Sequence, residues 1–551
     1  MLFASEGANE MDFQQDSCTP QNHTERLIRD LSRGCAFPED VSQVDVRQTH
    51  ISAVFLGPQV VYKVKKAIKL PFLDFSSLES RKYFCDEEVR INRAWAPDVY
   101  LGVVPVTEST DGLVFEGNGK TVDWAVKMRR LSESNTLRSR LTDGTLDATL
   151  LDRVARRVVA VHRVAPVATG VQAENAVEYF RRQFEDNWKF ASGLQSSLIP
   201  PGVLARLMSL SNEWLTRHAD LLGRRAVSGM IREVHGDLRL EHVFVYQEKS
   251  PPGDIVVLDG LEFDANLRWI DLIADIAFLT MELSFAGRRD LSQVFVNTYF
   301  ADFSETNNRV LLPLFAAYRS AVRGKVAAIL ANDSEVAPDV QQKAIARSRA
   351  HWLWSLAELE SPERRAAIVL VSGLPGTGKS TLARTLAEDA NFIVVRTDVV
   401  RKQIFAETEN SKVLAGLYDP EKTKRVYDEC LLQANKILAD GGRVIIDATF
   451  QKDSDRHAFL RLAIDYGARG LWMECTAPPE ITKHRLDNRH GDASDADWTV
   501  HQLVRSRWES PSESTQPFHV SIETSRSSRE AALSAMSVLR SHELWGDLIY
   551  E

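Results

Sequence analysis

Long apolar runs are missing from this 551-residue chain. No stretch approaches the ~18 consecutive apolar residues of a membrane-spanning helix, so no membrane partner is expected. The first twenty residues lack a basic start followed by an apolar run, which argues against a secretory signal. Cysteine is sparse. Cys18, Cys35, Cys85, Cys430 and Cys475 are scattered, odd in number and without a C-x-x-C pair, as expected for free thiols in a reducing cytoplasm. Basic charge is not in excess either: the formal net charge of −9 disfavours a broad nucleic-acid or anionic-membrane surface, though not a local basic pocket for phosphates. No internal repeat or low-complexity tract is found, and a chain this long can bury cores without disulfide or metal staples.

What is present falls into segments. Residues 1–21 are polar and irregular and read as a mobile tail. From 22 to about 119, short apolar runs alternate with turns. ISAVFL (51–56) and VVYKVKK (60–66) flank Gly57-Pro58-Gln59 as a hairpin would, and 77–96 has the spacing of an amphipathic helix. Further strands are expected at 100–106, 112–117 and 121–131. Residues 147–222 read as helical, 232–264 as a strand-and-loop block, and 271–360 as helical again. SPERR (361–365) reads as a boundary. Beyond it strands and helices alternate, with strands at 367–373, 392–398, 443–450, 470–478 and 519–525. Alternation of this kind implies a parallel sheet covered on both faces.

The strongest chemical signal is GLPGTGKS between the first of these strands and a helix. Gly373, Leu374, Pro375, Gly376, Thr377 and Gly378 form a loop whose amides can turn around phosphate oxygens. Lys379 would reach the β- and γ-phosphates, the Ser380 hydroxyl would ligate Mg²⁺, and Thr381 continues the cradle into the helix. The pattern should arise by chance only about 0.02 times in a chain of this length. Asp447, ending RVIID, suits a second Mg²⁺-holding carboxylate. Asp398, at the end of FIVVRTD, could orient or deprotonate an acceptor hydroxyl, with Arg401 holding an acceptor anion. A helix cap would account for either aspartate without catalysis. Arg485 and Arg489 are four apart on one helix face, where they could contact transferring phosphates or lie in solvent.

SGLPGTGKSTLA, RTDVVRK, IIDATF and R-x-x-x-R followed by SDA resemble the small-molecule and polynucleotide kinase branch of P-loop proteins. Gluconate kinase, the kinase half of polynucleotide kinase, chloramphenicol phosphotransferase and zeta toxin belong to that branch. The resemblance covers about 366–545 and implies ATP, Mg²⁺ and a hydroxyl acceptor.

VHGDLRLEHVFV (234–245) is similar to the H-G-D-x-x-x-x-N loop of aminoglycoside phosphotransferases and their kinase-like relatives. That resemblance implies a bilobal kinase-like domain over 22–360, with Asp237 as the base, His235 as its support and Asp259 of VLDGLEF as a Mg²⁺ ligand. Asp271 and Asp275 resemble the next acidic block, though a buried aspartate tying down helix ends explains them as well. Lys63 or Lys65 would contact phosphates, paired with Glu87 or Glu88; Lys63 with Glu88 is preferred. MRRL (128–131) sits where adenine would be held. Two departures stand out: His242 occupies the expected Asn position, where imidazole suits Mg²⁺ poorly, and no G-x-G-x-x-G loop precedes Lys63.

As a whole the chain resembles bacterial two-part proteins that join an aminoglycoside phosphotransferase-like domain to a P-loop domain, an α+β part followed by an α/β part. The resulting expectation is an ATP- and Mg²⁺-dependent phosphotransferase with two nucleotide sites, acting on hydroxyls of small polar molecules. A degenerate N-terminal sensor that regulates the P-loop part, a nucleic-acid end kinase, and an ATP-driven binding module without transfer stay open as alternatives. Nucleic acid is disfavoured as a partner by the acidic balance, and the sequence sets no oligomeric state.

Overall fold

The structure, a computed structural model, describes residues 20–39, 41–70, 73–246, 248–251, 253–303, 306–333, 336–405, 420–488 and 496–546. It divides into two compact units. The first comprises residues up to 135 together with 244–268; the second comprises 136–243 and 269 onward. Among the described residues no helix is long and apolar enough to cross a membrane.

The first unit is built on a six-stranded antiparallel sheet. Its strands are β1 (Asp45–Gln48), β2 (Ser52–Leu56), β3 (Val60–Lys65), β4 (Tyr100–Ser109), β5 (Gly112–Phe115) and β6 (Thr121–Arg129), in the order β1-β2-β3-β6-β4-β5. The expected hairpin around Gly57-Pro58-Gln59 is β2–β3, with Val54 opposite Lys63. Alternation sends Phe55, Tyr62, Val64 and Ala125 to one apolar layer and Val61, Val126 and Met128 to another. Helix α1 (Leu78–Arg93) covers the second layer with Cys85 and Val89. It starts where Ser77 accepts the Ser80 amide, a side-chain cap for an otherwise unpaired donor.

The second unit contains a helical region and a five-stranded parallel sheet. The sheet strands are β7 (Ala367–Ser372), β8 (Ile393–Arg396), β9 (Arg443–Asp447), β10 (Arg469–Thr476) and β11 (His519–Glu523), in the order β8-β9-β7-β10-β11. Every residue of β7 is buried. Val369 and Val371 point to one core with Leu382, Leu386, Ala535 and Leu539, while Ile368 and Leu370 point to the other with Val426, Cys430, Ala434 and Phe459. Two covered faces explain why β7 reads as a continuous apolar run instead of alternating. The chain leaves β7 toward β8 and β9 on one side and later adds β10 and β11 on the other. The crevice at the carboxyl ends of such strands is where α/β sheets bind ligands.

The strand expected over 392–398 is shorter than the sequence indicates. It ends at Arg396, and helix α6 runs Thr397–Phe405. Asp398 therefore lies in the first turn of a helix, where a carboxylate favourably faces the N-terminal dipole. Among the other helices of this unit are α2 (Leu272–Phe285), α3 (Leu312–Ala331), α4 (Pro338–Leu359), the P-loop helix α5 (Lys379–Ala390) and, after α6, α7 (Pro479–Asp487).

Ser361–Arg365, read as a polar boundary, is a packed joint. Arg365 is 1% exposed and donates to Glu543 at 2.6 Å. Glu543 also meets Arg289 and, at 3.6 Å, Arg469, while Arg469 donates to Glu358 at 2.5 Å. The buried guanidinium groups of Arg365 and Arg469 and the partly exposed one of Arg289 thus meet two buried carboxylates, linking the helical region to the sheet within this unit. The two carboxylates offset the two most buried guanidinium groups, Arg365 and Arg469, which is the condition for burying either, while Arg289 keeps partial access to water.

Candidate active site

The P-loop follows β7 at the carboxyl edge of the sheet. Gly373, Gly376 and Gly378 have φ values of 136°, 83° and 91°, in the region where side chains are strained. At Gly376 the need is also steric: a Cβ would lie 2.8 Å from Leu486 and Thr482 of α7. Lys379 Nζ donates to the Leu374 carbonyl at 3.0 Å, and the Thr377 hydroxyl donates to the same oxygen at 2.8 Å. The loop is therefore closed upon itself, and His501 Nδ1 fastens it further by donating to the Pro375 carbonyl. Beside it lies a cavity of about 350 Å³ lined by Gly378, Lys379, Ser380, Arg485, Thr524 and Ser528 among others.

Asp447 ends β9, parallel to β7, and is 4% exposed. Burial raises its pKa above the ordinary value, with the Lys379 charge, the Ser380 hydroxyl and Arg396 acting in the opposite direction. Arg396 Nε approaches its carboxylate at 3.1 Å. Ser380 and Asp447 are both oxygen donors, the ligand class Mg²⁺ prefers, so together they fit a nucleotide-borne Mg²⁺. Asp398 pairs with Arg401 at 3.6 Å. Arg485 sends one Nη to the Thr524 carbonyl at 2.6 Å, while its buried Nη1 has no hydrogen-bond partner among the described residues, leaving a donor to be satisfied at the cavity wall. Arg489 lies outside the described residues. Thr524 was not singled out from the sequence. Its hydroxyl reaches the Thr377 and Thr476 carbonyls, joining the loop to the sheet; a threonine just past a strand gives no signal of that.

In the first unit, Lys63 and Lys65 project from the same side of β3 onto one carboxylate. Lys63 Nζ is 2.9 Å from Glu88 Oε1 and 2.6 Å from Asp259 Oδ1. Lys65 Nζ is 2.8 Å from Glu88 Oε2 and also contacts Glu262. Burial works against both lysine charges, but the surrounding carboxylates outweigh it and raise both pKa values. Lys65 is fully buried, whereas Lys63 opens toward Asp259, whose side chain is 52% exposed. Asp259 has φ of 65°, rare for a residue other than glycine and a form of strain that clusters at functional positions. Two bonds hold that turn: the Asp259 amide donates to Tyr100 Oη at 3.2 Å, and the Gly260 amide to Asn92 Oδ1 at 2.9 Å.

In the second unit, the Asp237 loop is pinned from α2. Asp275, fully buried, accepts the Gly236 amide at 2.7 Å and a bond from His162 Nε2 at 3.1 Å. Burial raises the Asp275 pKa, but the His162 bond and nearby positive charge prevail and lower it. Two helical turns on, Glu282 accepts the Leu240 amide at 2.9 Å. The seven-residue spacing puts both acids on one helix face; Asp275 stood out in the sequence only by its resemblance to an acidic block, and Glu282 did not stand out. Asp271 caps α2 and is held by Arg225 at 2.6 Å. His242 Nδ1 donates to the Asp237 carbonyl at 2.8 Å, which fixes its proton on that nitrogen. Arg239, also missed, stands 3.8 Å from the Asp237 carboxylate.

Comparison with known proteins adds the following. The family model described as AAA domain matches residues 368–511. Uncharacterized protein Rv2004c of Mycobacterium tuberculosis is 30% identical over 468 residues, spanning 84% of this chain and 90% of that protein. A shikimate kinase of Corynebacterium jeikeium is 30% identical over 118 residues, 21% of this chain and 62% of the kinase. A gluconokinase structure from Sinorhizobium meliloti is 16% identical, with a TM-score of 0.25, over 32% of this chain and 94% of that one.

Proposed function

This chain belongs to the same family as Uncharacterized protein Rv2004c of Mycobacterium tuberculosis, and from that premise and the P-loop site we propose an ATP- and Mg²⁺-dependent phosphotransferase. The γ-phosphoryl group goes to a hydroxyl of a small polar molecule. One observation supports this most directly: Lys379 and Ser380 of the P-loop and the buried carboxylate of Asp447 meet at the carboxyl edge of a parallel sheet. In this reading the loop amides and Lys379 bind the phosphates, and Ser380 and Asp447 hold Mg²⁺, which neutralises phosphate charge when bound. Asp398 takes the acceptor proton, and Arg401 holds an acceptor anion. Arg485 faces the transferring group, and the sequence pattern assigns Arg489 the same role. Phosphoryl transfer asks mainly for positioning and charge neutralisation, which these groups supply. The likeness to a shikimate kinase favours a small-molecule acceptor over a nucleic-acid end.

We further infer a second nucleotide-dependent activity in the N-terminal part. The Lys63–Glu88 pair and the strained, half-open Asp259 support nucleotide and metal binding by the first unit. In the second unit, the pinned loop carrying Asp237 supports its role as proton acceptor.

Phosphoryl transfer from ATP to a panel of small polyols and hydroxy acids tests the P-loop reading in the full chain. Lys379→Ala and Asp447→Asn should each lower P-loop-dependent transfer by roughly 10²–10³-fold, the scale of losing a main electrostatic contact. Transfer unchanged in both folded variants would refute it.

A further inference from the structure

One cavity of the second unit is lined by none of the residues placed so far at the P-loop or around Asp237. It measures about 30 Å³ and lies among α2, the helix Arg289–Phe303, the turn before α3, and α4. At roughly 10–15 Å³ for each water, that is room for about two waters or a single halide ion, and too little for a phosphate. Arg289, the first residue of its helix, and Arg309, in the short 3₁₀ turn Thr306–Leu311, bring two guanidinium groups to the wall. Glu358 is the carboxylate on that wall, and it is already engaged. Arg469 donates to it at 2.5 Å and Arg289 at 3.4 Å. Arg309 donates to the neutral amide oxygen of Asn297 at 2.7 Å.

Trp354 of α4 lines the same cavity. It is 2% exposed, and its Nε1 has no hydrogen-bond partner among the described residues. An indole N–H can only donate, so an acceptor must enter the cavity to satisfy it, and leaving a buried donor unpaired costs stability. Burial raises the Glu358 pKa, but Arg469, Arg289 and Arg365 outweigh it, so this carboxylate is ionised and supplies no proton. The Ser284 hydroxyl can turn its hydrogen inward as a further donor. A water would satisfy the indole and leave the charge of the wall as it is, two guanidinium groups against one carboxylate shared with Arg469. A small anion answers both needs, because a hydrogen bond to a charged acceptor is stronger than one to a neutral acceptor.

We propose that this cavity is a halide site, taking chloride between the Trp354 Nε1–H and the guanidinium groups of Arg289 and Arg309. The size of the space selects a monatomic anion over an oxyanion, and the donors on its wall select an anion over a cation. The site is independent of either phosphotransferase reading. Its consequence is structural. Chloride ties α4, which holds Arg469 of β10 through Glu358, to the Arg289–Phe303 helix, whose first residue reaches Glu358 and Glu543. The joint beneath the P-loop sheet thereby draws part of its stability from a bound anion.

The test uses the full chain. Thermal unfolding is followed at constant ionic strength while sodium chloride replaces sodium gluconate, whose anion is too large for the cavity. Chloride should raise the midpoint by about 2 °C, the effect of a ligand that binds only the folded state. Trp354→Phe removes the N–H and keeps an aromatic ring, and Arg309→Gln, at a partly exposed position, removes one charge. Each should move the chloride dependence to roughly tenfold higher concentration, the scale of one hydrogen bond to a charged group. If Trp354→Phe does not fold, Arg309→Gln alone carries the comparison. Crystals soaked in sodium bromide locate the ion directly: an anomalous scattering peak should lie between Trp354, Arg289 and Arg309, and vanish in the variants. A midpoint that does not distinguish chloride from gluconate overturns the site. So does a chloride dependence unchanged in the folded variants, or a wild-type crystal with no bromide in the cavity.

Discussion

Lys63 and Lys65 sit two residues apart on one strand and share one carboxylate, yet their replacement by methionine should have opposite consequences. Lys65 is fully buried between Glu88 and Glu262. Methionine roughly fills its volume but removes its charge, and Glu262, 5% exposed, is left without a contacting cation. Breaking a buried pair in this way costs about 3–5 kcal/mol. A domain of roughly 150–250 residues responds by about 2–4 °C per kcal/mol, so a fall of roughly 6–20 °C is expected for the first unit. Lys63→Met leaves Glu88 with Lys65 and returns the half-exposed Asp259 to water, so the cost should be nearer 1 kcal/mol. That variant should keep its fold and lose nucleotide binding in the first unit. The fluorescence of Trp95 and Trp124 during thermal unfolding follows the first property. The shift of that transition on adding ATP, in a Lys379→Ala background, follows the second. Because the Lys65 pKa is raised, its stabilisation is complete below the unfolded lysine value near 10.4 and fades only as pH climbs through the higher folded value. The difference between wild type and Lys65→Met should therefore be flat across neutral pH. The reasoning fails if Lys65→Met unfolds no earlier than Lys63→Met.

Gly376→Ala should abolish ATP binding at the P-loop, measured by calorimetry, because its Cβ would strike α7; Gly441→Ala, at φ of 73° with open space around it, should cost only about 1–2 kcal/mol of stability and no affinity. Burial pushes the Glu543 carboxyl up, but Arg289, Arg365 and Arg469 hold it well below the usual range. Its stabilisation is therefore full above the ordinary carboxylate value near 4.3 and is lost as pH falls through the folded one. Urea unfolding should accordingly place Glu543→Gln about 3–5 kcal/mol below wild type at pH 7, with the gap narrowing in acid. His242→Asn should keep N-terminal transfer within about tenfold of wild type, since an amide can still donate to the Asp237 carbonyl, whereas His242→Ala should lower it further.

The parts of this molecule that were legible in the sequence are those whose physics is local. The hairpin at Gly57-Pro58-Gln59, the apolar runs of β7 and β9 and the glycines of the P-loop all follow from neighbours within a few positions. The end of β8 was misplaced because Val394 and Val395 continue into Val399 and Val400 with only Arg-Thr-Asp between, and nothing in β-propensity marks where pairing with β9 stops. Long-range pairing was invisible. Lys63 and Lys65 carry the same spacing and the same strand-face signal, and only the fold reveals that one also meets Asp259 and the other Glu262. Likewise, Glu282 looks like an ordinary charged position on a helix until its carboxylate is seen to accept the Leu240 amide of the loop bearing Asp237.

The buried joint at Ser361–Arg365 bears on how this chain can be divided. A cut there would part Arg469 from Glu358, so a fragment beginning at that point would keep Glu543 for Arg365 but lose the carboxylate to which Arg469 donates. The polar stretch that looks like a hinge in the one-dimensional text is a rivet in three dimensions. The P-loop sheet inherits part of its foundation from residues read as belonging to its neighbour. Recombination that swapped the P-loop part for another at this position would have to exchange Arg289 and Glu358 along with it, so the sheet and the last helices before it should travel through evolution as one heritable block.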